Sequence, residues 1–256
     1  MQTLFPDPAA IVPSILADRL MLAVSMYMPG YEPDPNYVYQ MLLAAEAEAS
    51  RRLRVPFVPT EVVPHGTDPA VTAAFDAADT PWVEEPPYDM TPGQYTGDKW
   101  GYVVTRQRPI IAVHSVSYHY PVPNNLVWTM PENWIRVDKK YGHIQFVPTG
   151  TPVTAPLSAY VLGAMAHGRT IPQMIHIRYR AGLEDALSKY PDLGDLIRKM
   201  TVLRIMQGWF LPQSGSISAD GLSQSFSVDM ARYEDHVENR LEALRQALHG
   251  QRMIFL

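Results

Sequence analysis

The sequence predicts an α+β protein: a helical core, made of a helical hairpin and C-terminal helices, with a β-rich insertion. Three observations carry that expectation. Residues 1–57 and 183–256 repeat apolar side chains at spacings of three and four, the period of an amphipathic helix. The centre of the chain is instead rich in β-branched and aromatic residues that alternate along short runs. Helical ends around a strand-rich centre bury their apolar faces by packing on each other, which makes residues 58–182 a long loop and β-rich insertion.

The elements follow in order. Ser14 is placed to cap a first segment running to about Met28, and Pro29-Gly30 ends it. Asp34-Pro35 is a second start signal, a capping carboxylate followed by proline at the first helical position. Val38, Met41, Leu42, Ala45, Ala49 and Leu53 then repeat at helical spacing until Pro56. Glu48 and Arg52 sit four apart and can pair weakly. Residues 58–99 are rich in Pro, Gly, Asp and Thr and read as a long connection with one short helix near Ala70–Ala78.

Strand signals begin at Tyr102-Val-Val and at Pro109–Tyr120. In the latter, Ile111 and Val113 alternate on one parity, and Val116, Tyr118 and Tyr120 on the other. That slip predicts a bulge. Trp134–Val137 and His143–Val147 flank Asp138-Lys-Lys-Tyr-Gly142, a hairpin with glycine at the turn's end. Met174–Tyr179 is a further strand, stopped at Ala181-Gly182, whereas residues 151–170 fit either an extended arm or a short helix. Pro191-Asp192 starts a helix whose apolar residues (Leu193, Leu196, Ile197, Met200, Val202, Leu203, Ile205, Met206) cover most of its circumference, so it should be buried on most sides. A serine-rich loop, Gly215–Asp229, precedes a last helix with Met230, Tyr233, Val237, Leu241, Leu244 and Leu248 on one stripe.

Composition narrows the class. A chain of 256 residues buries roughly 70–75% of its unfolded surface and needs no covalent staples. Charged residues make up 18%, below the ~25% usual in globular chains, which leaves neutral surface that partner subunits could cover. Twenty-four prolines are scattered along the chain and fix its connections. Cysteine is absent, which excludes disulfides, thiolate zinc sites and cysteine nucleophiles and fits a reducing compartment. No basic region precedes an apolar run at the N-terminus, so a secretory leader is not expected. The longest apolar run, Ala159–Ala166, is far short of the ~20 residues of a membrane span. The net charge of −5 argues against a dedicated nucleic-acid surface, yet allows a passage through which DNA slides without sticking.

Motifs for chemistry are weak. Gly221-Leu-Ser-Gln-Ser225 lacks the second glycine of a nucleophile elbow, and no Gly-Lys dipeptide allows a phosphate loop. The eight histidines form no metal motif, and His114 and His119, five apart in a strand, should point to opposite faces. No catalytic, cofactor-binding or metal-binding residues are assigned. Glu84, Glu85 and Glu132 lie near Trp82, Trp128 and Trp134, which leaves a carbohydrate-active or carbohydrate-binding protein as the alternative function, a generic possibility with no spacing to support it; aromatics that fill a β core or an interface are the plainer explanation. Met253-Ile-Phe-Leu256 is an apolar tail that needs a groove on its own domain or on a partner.

Together these segments resemble the head–tail connector, or adaptor, proteins of tailed bacteriophages. The likeness rests on Pro35–Leu53, Arg108-Pro-Ile-Ile-Ala-Val113, Pro131–Pro148, Ile177-Arg-Tyr-Arg-Ala-Gly182, the helix from Pro191, and Gly215–Ser227 before a final helix. It implies a non-enzymatic virion protein of the neck, assembled in the host cytoplasm. It implies a homo-oligomeric ring, a dodecamer, beneath the portal protein, with a neck, stopper or tail-terminator protein docked on it and genomic DNA passing through. It implies no cofactor and no membrane partner. The long 58–182 region departs from the shorter members of that family. The candidate partner contacts are Met253, Ile254, Phe255 and Leu256, with Leu241, Leu244 and Leu248 on the last helix and Ser223 and Phe226 in the serine-rich loop. On this reading the loop is an ordered connector that swings the last helix and tail toward a neighbouring subunit or the portal.

Overall fold

A computed structural model describes residues 2–22, 33–91, 101–120, 125–147, 149, 169–208, 214–219, 222–227 and 230–249. It is α+β, and its contacts group into two units: residues 54–184, and residues 2–53 with 185–256.

In the helical unit, α1 spans Pro8–Leu16, α2 Pro35–Leu53 and α3, which lies in the other unit, Pro69–Ala77. Ser14 does not cap α1. Asp7 does, accepting from the Ala9 N–H at 3.0 Å, while the Ser14 hydroxyl donates to the Ile11 carbonyl inside the helix. The reason is the dipeptide Asp7-Pro8, the same start signal as Asp34-Pro35. At α2 the Asp34 carboxylate accepts from the Asn36 N–H at 3.1 Å. The buried face of α2 holds Val38, Leu42, Ala45, Ala49 and Leu53, plus Glu46, whose carboxylate accepts from the Leu4 N–H and the Thr3 hydroxyl. Ala186–Lys189 (α4) leads into Pro191–Gly208 (α5), which buries Leu193, Leu196, Ile197, Met200, Val202, Ile205 and Met206, as its near-continuous apolar surface requires.

Between α5 and the last helix, Met230–His249 (α6), stands a two-stranded antiparallel hairpin, Ser214–Ala219 and Leu222–Ser227, where the sequence was expected to form a loop. Its register sets Ser214 opposite Ser227, Ser216 opposite Ser225 and Ser218 opposite Ser223. Serine recurs at every second position of both runs, so this is a period of two written in a residue of weak strand preference.

The β unit contains β1 (Thr60–Pro64), β2 (Trp82–Glu85), β3 (Tyr88–Met90), β4 (Tyr102–Val104), β5 (Ile110–His119), β6 (Leu126–Thr129), β7 (Ile135–Asp138), β8 (His143–Phe146) and β9 (Ile171–Ala181). The larger sheet runs β2-β1-β9-β5-β6, with β3 also paired to β9, and β4-β8-β7 form a second, antiparallel sheet. β1 and β2 are parallel, with α3 as the crossover between them. The 58–99 stretch is therefore not a connection with one helix. It supplies three strands, and β1 lies inside the sheet. Thr60-Glu-Val-Val-Pro64 hides this because it is short, carries a buried glutamate and ends on proline, so it shows no clean alternation.

The two sheets share one core. Val62, Val116, Tyr118, Ile175, Ile177 and Tyr179 of the larger sheet meet Val103, Ile144 and Phe146 of the smaller. The bulge expected in β5 is present, as register shifts between Ile110 and Ala112 and between Val113 and Ser115. β9 ends at Gly182, where φ is +125° and a Cβ would stand 2.7 Å from the Val58 carbonyl oxygen; only glycine turns there.

Candidate functional site

The proposed partner contacts fall in three places. Met253, Ile254, Phe255 and Leu256 lie outside the described residues, as does most of the ambiguous 151–170 span. Leu241, Leu244 and Leu248 are buried, together with Val237, inside the helical unit. Their stripe packs on the chain's own helices and is not open to a partner. Polar contacts hold α6 there: the Arg52 guanidinium donates to both Glu238 oxygens (2.8 and 2.5 Å), Arg240 pairs with Asp195, and the Gln207 amide donates to Glu234 at 2.6 Å. Arg204 of α5 donates to Glu48 of α2 at 3.1 Å through its Nε. So the connector does not swing α6 away from its own unit. Ser223 and Phe226 lie in the hairpin, opposite Ser218 and Gly215.

The larger sheet's polar face carries an unexpected cluster. Register places Glu61, Arg180 and Ala112 in one row, Ser115 with Arg178, and Ser117 with His176. His114 Nε2 lies 2.9 Å from Glu61 Oε2, and the His119 ring stacks on His176 at 4.0 Å, with Ser117 Oγ 3.0 Å from His119 Nε2. His114 and His119 therefore share a face. His114 is itself the extra residue of the bulge between Val113 and Ser115, which reverses the parity that an odd spacing predicts. Burial, with the neighbouring His119, holds the His176 pKa down at about 4, so its ring is neutral at neutral pH.

Glu85 on β2 anchors a second cluster, on the core side. Its Oε1 accepts from the Tyr88 hydroxyl at 2.5 Å and from the Tyr179 hydroxyl at 3.1 Å. Those hydroxyls in turn accept from the Arg106 and Gln107 N–H groups at 3.0 and 3.2 Å. The Arg106 guanidinium sits 4.3 Å over the Tyr88 ring and 3.8 Å from Glu85. Burial pushes the Glu85 pKa up, opposed by the Tyr88 hydrogen bond and the Arg106 charge, and burial pushes both tyrosines up as well. The network pins the 105–108 loop to the sheet. With Glu85 and both tyrosines buried and their hydroxyls holding that loop, the cluster is a structural fastening.

That loop is braced on its other side by the β7–β8 turn. The Thr105 N–H donates to the Gly142 carbonyl at 2.8 Å, and the Ile110 N–H to the Lys139 carbonyl at 2.7 Å. Gly142 has φ +68°, and a Cβ there would meet Thr105 Oγ1 at 2.5 Å. The two loops carry Arg106, Arg108, Lys139 and Lys140. The turn is legible in the sequence, but its hydrogen-bonded contact with the 105–109 loop is not.

The tryptophans are engaged elsewhere. Trp128 stacks on Tyr118 and meets Trp134 edge-on at 5.7 Å, and the Trp82 indole donates to Asp76 at 2.8 Å. Glu84 and Glu85 are consecutive on a strand and so point to opposite faces. Among the described residues no three His, Asp or Glu side chains gather as a metal site, and no helix is long and apolar enough to cross a membrane. No protein-family model matches this chain, and no curated protein matches it.

Proposed function

We propose that this protein is a non-enzymatic head–tail adaptor of a tailed bacteriophage. On this reading it forms a ring, a dodecamer, beneath the portal, docks the next neck or tail protein, and lets genomic DNA pass through. The observation that carries the reading is the hairpin 214–227 between α5 and α6. Two strands by themselves are at best marginally stable in water. A neighbouring subunit that adds strands to such a hairpin supplies the missing pairing, and a ring supplies a neighbour to every copy. In sequence, the two segments of the helical unit flank the β unit, the same segment order as in the resemblance.

The experiment is mass photometry and negative-stain microscopy of the full chain, alone and with portal protein. The expected result is closed rings that sit on portal. Replacing residues 214–227 by a short Gly-Ser turn is expected to abolish rings while leaving the helical circular-dichroism signal intact. A wild-type chain that stays monomeric at every concentration and ignores portal would refute the adaptor reading.

A further inference from the structure

Among the described residues, the hairpin 214–227 has the longest open strand edges. Its strands are six residues long and pair only with each other. The open-edged strands of the β unit (β2, β3, β4, β6 and β7) have three or four residues. Short length protects such an edge from further pairing, and so do charges, proline and bulges. β2 and β7 carry two charged residues each. The hairpin strands have none of these devices: no charge, no proline and an unbroken register.

That register divides the hairpin into two faces. Six serines share one, and Gly215, Ile217, Ala219, Leu222, Gln224 and Phe226 share the other. Both strands follow the same alternation, so their outer edges match as well as their inner edges do. A second copy whose Leu222–Ser227 strand lies antiparallel on the outer edge of Ser214–Ala219 sets serine opposite serine. It also sets Phe226 opposite Gly215, the largest residue of one strand beside the smallest of the other. This register pairs all six residues of both strands. A slip of one residue mixes the two faces, and a slip of two leaves two residues of each strand unpaired.

We infer that the occupant of the hairpin's edges is the same hairpin in further copies of this chain. Ser214–Ala219 of one copy pairs antiparallel with Leu222–Ser227 of the next, in the register that joins them within one copy. Joining unlike edges keeps every hairpin the same way up, so the pairing repeats around a closed ring and leaves no edge open. Joining like edges turns alternate hairpins upside down, which a ring seated on a portal by one face does not allow. The choice of unlike edges thus rests on the adaptor reading; the pairing of copies through the hairpin does not.

The chain has no cysteine of its own, so thiol trapping reads the pairing directly. Opposed residues of paired strands stand about 4.5–5.5 Å apart at Cα, within the ~4.4–6.8 Å that a disulfide spans. Full-length Ser216→Cys and Ser225→Cys chains are prepared separately, mixed, assembled with and without portal protein, and oxidised. The mixture should give at least about tenfold more covalent dimer than either variant alone, because residue 216 of one copy opposes residue 225 of the next. Hydrogen exchange of the unmutated chain is the second measurement. Hairpin amides should exchange at least about tenfold more slowly in the assembly than in chains diluted to monomer. As much covalent dimer in one variant alone as in the mixture would overturn the inference, and so would hairpin amides that exchange equally fast in both states. Rings without the mixed cross-link overturn the pairing and leave the adaptor reading standing. The mixed cross-link in open filaments that ignore portal overturns the adaptor reading and upholds the pairing. Chains that stay monomeric at every concentration, with or without portal, overturn both.

Discussion

Tyr179→Phe removes one oxygen from a site with no solvent access, and its cost can be worked from the structure. The ring keeps its shape, so packing around it changes little. The lost hydroxyl donated to Glu85 and accepted from the Gln107 N–H. Glu85 would keep only Tyr88 as a hydrogen-bond donor, while its Oε2 is already buried without one. A stranded buried N–H costs about 1–3 kcal/mol, and the lost bond to the carboxyl contributes about 1–2 kcal/mol more. Relaxation of the 105–108 loop recovers part of this, so the net loss should be about 2–4 kcal/mol. In a unit of roughly 130 residues, that lowers the melting temperature by roughly 6–15 °C. Differential scanning calorimetry is the assay, because two units need not melt together and a single-transition fit would mix them. The β-unit transition should shift and the helical one should not. Tyr88→Phe serves as the second arm of a double-mutant cycle, and the coupling should exceed about 0.5 kcal/mol because both hydroxyls serve one carboxyl oxygen. A shift below about 2 °C in the single variant would refute the claim that this network fastens the loop.

Two further outcomes follow from the same unit. His176 binds its proton about 2.5 pH units more weakly when folded, with a pKa of about 4 against 6.5. A depressed pKa means that this stability is present in full above pH 6.5 and is lost as pH falls toward 4, by at most about 3 kcal/mol. Urea denaturation at pH 7 and pH 4.5 should show wild type losing more stability than His176→Gln; equal losses would show that the stacked pair does not govern acid sensitivity. Gly142→Ala puts a methyl group against Thr105 Oγ1 at a left-handed position, which should cost about 2–4 kcal/mol. Differential scanning calorimetry of the β-unit transition checks it, and a shift below about 2 °C would refute the tight fit of Gly142 against Thr105.

How far the sequence reveals this fold depends on whether a period or a cap is written in strongly preferring residues. Asp34-Pro35 with its six apolar positions marks α2 to the residue, and the Asp138–Gly142 turn marks the β7–β8 hairpin. β1 stays hidden because an interior strand of five residues has no solvent face to alternate with, and Glu61 breaks its apolar run. The 214–227 hairpin stays hidden for the opposite reason: the alternation is strict, but it is carried by serine. The site residues were harder still. Parity placed His114 and His119 apart although a bulge was expected in the same strand, and one extra residue is enough to invert that rule. The Glu85 cluster and the basic loops each join segments far apart in sequence, and nothing local in either segment announces the other.

An amphipathic stripe states that a helix face must be buried, but not by whom. Leu241, Leu244 and Leu248 satisfy that demand within their own unit, and the contacts around them show why the choice is intramolecular. Arg52, Arg240 and Gln207 each find their α6 or α5 partner at hydrogen-bond distance, so the polar rim of the stripe is matched as well as its apolar centre. Exposed pairs of this kind are worth little singly, about 0–1 kcal/mol, yet they fix one docking geometry among the many that the leucines alone would tolerate. A helix so matched has little left to offer a neighbour. The hairpin is the contrary case: among the described residues its two strands pair only with each other, so each has an outer edge of the kind that a further strand can join. If the ring is built by this chain, the physical argument moves its joint from the last helix to the hairpin. The measurement that decides is direct: Leu244→Ala should lower the melting temperature of the helical unit, by about 2–5 kcal/mol of lost packing, and leave assembly to follow stability, whereas shortening the hairpin should abolish assembly with stability retained. The reverse pattern would return the joint to the helix.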